Sequence, residues 1–253
     1  MNILKTNENE LRIGWKILRV VLIVIVLAVA FALVSSLLSL QLLGDYAIHL
    51  SIILGVLIAL RLEHRSINTI GLQLREKSLW MDSLLGFVAG ALAISLVALG
   101  MVFITREINP DQFGINMSLP GLAGILAYWL VVGIAEEMLF RGYILTLLRE
   151  KLRLWPAILI SAALFAVIHI LNPDYYFYAF LYALLIGILF CGIVYKRGNL
   201  GGVIGFHFAW NLLQDGSFYN FPAQGGELMF TLILIVMGIM VLWVLPRGKP
   251  VRT

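Results

Sequence analysis

Eight apolar stretches, most of them near the roughly 20 residues that cross a bilayer as one helix, take up most of this chain. They fall near 17–42, 46–62, 79–104, 120–148, 155–171, 175–195, 199–213 and 226–245. Lipid offers no hydrogen-bond partners, so backbone crossing it pairs with itself, as helices or as closed barrels. Runs of this length without strand-like alternation read as helices. The expected fold is all-α: a polytopic bundle of about eight transmembrane helices forming a single membrane domain over residues 1–253. Composition agrees, with 61% of residues hydrophobic and only 13% charged, about half the charge of a soluble domain. The mean hydropathy is +0.98.

Lys16 and Arg19 precede the first apolar run, as they would in a signal peptide. The apolar core from Val20 to Val34, continuing to Leu43, is too long for a cleaved segment and reads as an uncleaved first helix.

The basic residues test the helix count, because Lys and Arg gather on the cytoplasmic side of a membrane. With the N-terminus inside, all 18 basic residues except Arg106 and Arg141 fall in cytoplasmic stretches. They cluster at 5–19, 61–77, 149–153, 196–197 and 247–252. Both termini are thus expected to be cytoplasmic, in a cell membrane or an endomembrane. No basic run is dense enough for nucleic acid, so the bilayer is the partner that composition leaves. One cysteine, Cys191, excludes an intramolecular disulfide. His64–Ser78 reads as a polar loop or surface helix. Gly198, Gly201, Gly202 and Gly205 form two overlapping GxxxG spacings, which let helix backbones approach closely in lipid.

The fourth segment carries Ala135-Glu136-Glu137-Met138-Leu139-Phe140-Arg141. A charge at the bilayer centre costs roughly 2.5–3.5 kcal/mol, so three unpaired ones would cost about 8–10 kcal/mol. They must face the bundle interior and be compensated. Glu137 and Arg141, four apart with the acid first, share a helix face and are expected to pair. Glu136 is turned about 100° away, which leaves it as the free carboxyl suited to proton transfer and sharing no surroundings with Glu137. The fifth segment offers Phe165 and His169, and the seventh His207 and Asn211, each pair four apart on one face. An Asn amide can donate to a developing oxyanion. Packing alone explains one buried histidine more readily than it explains the whole set. Asp82 at a helix start and Asp174 after Asn172-Pro173 read as caps or turns, and His49 and His64 as interfacial residues without a special role.

In order along the chain, Glu136-Glu137-Met138-Leu139-Phe140-Arg141, Phe165 to His169 and His207 to Asn211 resemble the pattern EExxxR, FxxxH and HxxxN. That is the pattern of the CAAX-protease and bacteriocin-processing family of intramembrane peptidases, the Ras-converting-enzyme-like group. Phe140-Arg141-Gly142-Tyr143 is similar to the family's continuation of the first motif. The resemblance covers about 120–213. It implies a polar cavity between the fourth, fifth and seventh helices, where Glu136 and His169 activate a water and His207 and Asn211 steady the oxyanion. Glu137, Arg141 and Phe165 would support them. The implied substrate is a membrane-associated peptide or protein, lipid-modified or not. No cofactor is expected.

Three alternatives stand beside this reading. Glu136, His169 and His207 could instead hold zinc with a fourth position open for water, although HExxH is absent. A non-catalytic membrane scaffold or immunity-type protein would use the cavity to bind a partner. A proton-coupled transporter would use the same buried Glu and His, but the inverted repeats expected of one are not evident.

Overall fold

The computed structural model describes residues 12–105, 118–170, 177–215 and 226–244. Among these it is all-helical, with helices at the eight expected places. We number them α1 (Ile13–Leu38), α2 (Gln41–Leu62), α3 (Lys77–Thr105), α4 (Leu119–Glu137, running on to Arg149), α5 (Leu154–His169), α6 (Phe177–Arg197), α7 (Gly201–Gln214) and α8 (Gly226–Val244). Between Glu137 and Leu145 the α4 rod widens into a π-helical segment, Met138–Ile144. Arg106, Asp174 and the basic residues at 5 and 247–252 lie outside the described residues.

Five helices are long and apolar enough to cross a membrane: α1, α2, α3, α4 through Arg149, and Phe180–Arg197 of α6. The chain is a multi-pass membrane protein. Its exposed surface carries large aliphatic and aromatic side chains such as Leu37, Leu96 and Phe103, which suit lipid rather than water. With 14 residues, α7 spans about 21 Å, short of the roughly 30 Å hydrocarbon core. It lies within the bundle, buried along most of its length from Gly201 to Leu212.

Glycines let α7 sit there. A Cβ on Gly201 would come within 2.1 Å of the Leu79 carbonyl oxygen, and one on Gly205 within 1.9 Å of that of Ser83. The relation is reciprocal: Gly86 and Gly90 of α3 face the carbonyls of Gly202 and Phe206 at 2.0 and 2.5 Å. Only backbone fits between these helices. Gly198 departs from the expected packing role; its φ of +72° makes it the turn residue between α6 and α7.

Three further expectations are corrected. The first helix does not run on to Leu43. Ser39 adopts φ 52° and starts a tight turn, which the Ser35 hydroxyl closes by donating to Leu40 O at 2.8 Å. Asp82 is not a helix cap but a clasp: its carboxylate accepts hydrogen bonds from the Arg197 guanidinium and, at 2.7 Å, from the Asn199 amide. Asn199 in turn accepts from Gly201 N, so the clasp ties the start of α3 to the α6–α7 turn. Finally, the 64–78 stretch is not wholly at the surface. Its 3-10 turn Ile67–Ile70 inserts Ile70 against Gly142 of the π segment.

Candidate functional site

The π segment begins one residue after Glu137, and an extra residue in a helical turn frees backbone groups that need other partners. The Ser161 hydroxyl of α5 meets one of them, donating to Phe140 O at 2.9 Å. The rings of Phe140 and Phe165 pack edge to face, with centroids 5.3 Å apart. These contacts bring α5 against the polar stretch of α4.

Glu137 and Arg141 are both fully buried and bonded, Nη1 to Oε1 at 2.9 Å. The guanidinium also lies over the Phe165 ring, 4.1 Å from its centroid, and 5.2 Å from that of Phe190. A delocalised cation over aromatic faces is attracted by their quadrupoles, most strongly where water is absent. Phe165 thus has a physical task. Phe190 shares it and was not singled out in the sequence, since an aromatic residue in an apolar helix gives no signal there.

Glu137 has a second partner. Its Oε1 also accepts from His207 Nδ1 of α7 at 2.8 Å. The opposite edge of that imidazole faces the neighbouring carboxyl, with His207 Nε2 3.7 Å from Glu136 Oε2. The two adjacent glutamates therefore do share surroundings, through one ring wedged between them. The 100° separation expected on α4 holds, but a third side chain spans it.

His169 approaches Glu136 from α5. Its Nδ1 lies 2.7 Å from Phe165 O, and a carbonyl can only accept, so Nδ1 carries the proton. That directs Nε2 toward Glu136 Oε2, at 3.9 Å. Glu136 Oε2 is itself buried and has no hydrogen-bond partner among the described residues. One unsatisfied carboxylate oxygen is thus flanked by two imidazole Nε2 atoms, each a little too far for a direct bond. A small polar molecule between them would satisfy the Glu136 oxygen.

Asn211 lies one turn beyond His207 and is half-buried, with no side-chain hydrogen bond among the described residues. Of the residues singled out in the sequence, Glu136, His169 and His207 converge. Glu137, Arg141 and Phe165 surround them, whereas no described contact joins Asn211 to them. His49 was set aside as interfacial, yet its ring packs on Tyr128 of α4 at 5.7 Å and its buried Nδ1 has no partner among the described residues. It lies within electrostatic reach of both Glu136 and His207. Only the tertiary packing of α2 on α4 reveals this. Among the described residues no group of three His, Cys, Asp or Glu side chains is arranged to hold a metal ion.

Residues 118–213 match a family model described as type II CAAX prenyl endopeptidase, Rce1-like. The matched span contains all three motifs and agrees with the resemblance they carry. Among curated proteins none matches the chain.

Proposed function

From a chain whose residues 118–213 carry the Rce1-like type II CAAX prenyl endopeptidase match, we propose an intramembrane endopeptidase that hydrolyses a peptide bond of a membrane-associated peptide or protein by glutamate-activated water. The observation that carries the mechanism is the unpartnered Glu136 Oε2 between the Nε2 atoms of His169 and His207.

The attacking water sits among these three atoms. It donates to Glu136 Oε2 and to the Nε2 lone pair of His169, which leaves its own lone pair free to meet a substrate carbonyl. Glu136 takes the proton as oxygen bonds to carbon, and the pair later returns a proton to the departing amine. With both glutamates ionised and Arg141 the one fixed cation, the cluster carries one excess negative charge, which a single proton neutralises. Placed on His207, that proton makes an imidazolium. Glu137 holds it through Nδ1, so its Nε2–H is presented to the tetrahedral oxyanion. Asn211 adds a neutral N–H donor beside it. Such donors act mainly on the transition state.

No metal takes part in this scheme, and both termini of the bundle face the cytoplasm. The substrate is a peptide or membrane protein, with or without a lipid modification.

The deciding experiment is cleavage by purified protein. Wild type and Glu136→Gln are compared on a prenylated and an unprenylated membrane peptide, with products read by mass spectrometry. Cleavage by wild type alone is expected. Equal cleavage by both proteins, or by neither, removes the peptidase reading.

A further inference from the structure

Separate from the Glu136 cluster, a cavity of about 550 Å³ lies where the start of α2, the first half of α4 and the end of α7 meet. Asp45, Tyr46, Tyr128, Trp129 and Asp215 give it its chemistry, and no basic side chain is among its described walls. The rings are ordered against one another: Tyr46 stands edge-on to Tyr128 at 5.5 Å, and Tyr128 to Trp129 at 5.0 Å. Trp129 is fixed further by its indole N–H, which donates to Asp215 Oδ2 at 3.0 Å. The two charged residues among the cavity's described walls, Asp45 and Asp215, are both acidic, in a protein of net charge +4.

Two residues connect this cavity to the reacting groups. Tyr128 lines it and lies within electrostatic reach of both Asp45 and Glu136. His49 packs on the Tyr128 ring and lies within electrostatic reach of Glu136. Tyr128 and Glu136 are eight residues apart on α4, about 12 Å along its axis. An extended peptide advances about 3.3–3.6 Å per residue, so it covers that distance in three to four residues.

Resting on the peptidase reading, we propose that this cavity is a specificity subsite for a positively charged substrate side chain, lysine or arginine, three to four residues from the bond that is cleaved. Carboxylates at the rim attract the cation, and the faces of Tyr46, Tyr128 and Trp129 receive it together with its apolar stem.

Two measurements test the proposal apart from the peptidase reading. In the first, a single lysine is moved through positions two to six on each side of the cleaved bond of a membrane peptide, and kcat/KM is measured. A maximum at three or four residues on one side, about tenfold above the glutamate counterpart, is expected, and Asp45→Asn flattens it. A flat profile in wild type overturns the subsite. In the second, binding of a fluorescein-labelled apolar peptide with a central Lys-Lys pair is compared with its Glu-Glu counterpart on Glu136→Gln protein in detergent. A preference for Lys-Lys that is lost in Glu136→Gln/Asp45→Asn supports the subsite even if wild type cleaves nothing, a result that would sink only the peptidase reading. Equal binding of the two peptides overturns the subsite whatever the cleavage result.

Discussion

His207 Nδ1 and Glu137 Oε1, seventy residues apart in sequence, meet at 2.8 Å inside the bundle, and this bond fixes which edge of the imidazole faces Glu136. Because Nδ1–H is committed to Glu137, Nε2 is left for chemistry. Glu137 thereby holds two neighbours at once, Arg141 on its own helix and His207 on α7.

That arrangement separates the two glutamates experimentally. Glu136→Gln should abolish turnover and leave the thermal midpoint in detergent nearly unchanged. Glu137→Gln should lower stability by about 3–5 kcal/mol, because it leaves Arg141 as a buried charge without its counterion. It should also reduce kcat by releasing His207. A stable, active Glu137→Gln protein would contradict the assigned ion pair.

Coupling across the Glu137–His207 bond can be measured by itself. Glu137→Gln, His207→Gln and the double variant form a cycle, and residues sharing a hydrogen bond usually couple by about 0.5–3 kcal/mol. Stability changes that simply add would mean the bond does not form in the protein.

Asn211→Ala distinguishes an oxyanion donor from a packing residue. Loss of one such donor typically lowers kcat about 10²–10³-fold, and here KM and stability should change little. A packing Asn gives the opposite pattern: about 0.6–2 kcal/mol of lost stability with near-normal turnover of the folded fraction.

The metal-free scheme predicts that activity survives chelation and that protein purified in detergent holds no stoichiometric metal. One zinc per chain, lost together with activity in His169→Ala, would convert Glu136, His169 and His207 into ligands.

Gly205→Ala should destabilise by at least the 1–3 kcal/mol or so of ordinary overpacking, because the added methyl meets the Ser83 carbonyl rather than a movable side chain. Gly238→Ala in α8, where a Cβ has nothing within 4 Å, is the matched control. Equal melting temperatures for the two variants would refute the close α3–α7 approach.

Sidedness is testable with Cys191 removed. Single cysteines at Arg75 and Lys151 should label from the cytoplasm, and those at Gln112 and Asn220 from the other side. Label at Asn220 from the cytoplasm would reverse the assigned orientation.

Helix positions were legible because apolar length is a one-dimensional property, and the Glu137–Arg141 pair because it lies within one helix. What crossed between helices was not. The His207 bridge joins α7 to α4, and the Asp82 clasp joins α3 to the α6–α7 turn. His49 reaches the site only because α2 packs on α4. Gly86 and Gly90 have the same spacing as the stripe on α7, but nothing in the sequence pairs the two stripes. The turn at Ser39 was hidden because its neighbours Leu37, Leu38, Leu40, Leu42 and Leu43 are as apolar as a helix interior.

The glycine seam between α3 and α7 has a mechanical consequence. Where two backbones touch, there are no side chains to change rotamer and absorb a shift, so the helices translate together or not at all. The Asp82 clasp pins the same pair at one end, which makes α3 and α7 a strut carrying His207 at a fixed height. Admission of a bulky guest must therefore come from movement of other helices, such as α2 or α5, which bear His49 and His169.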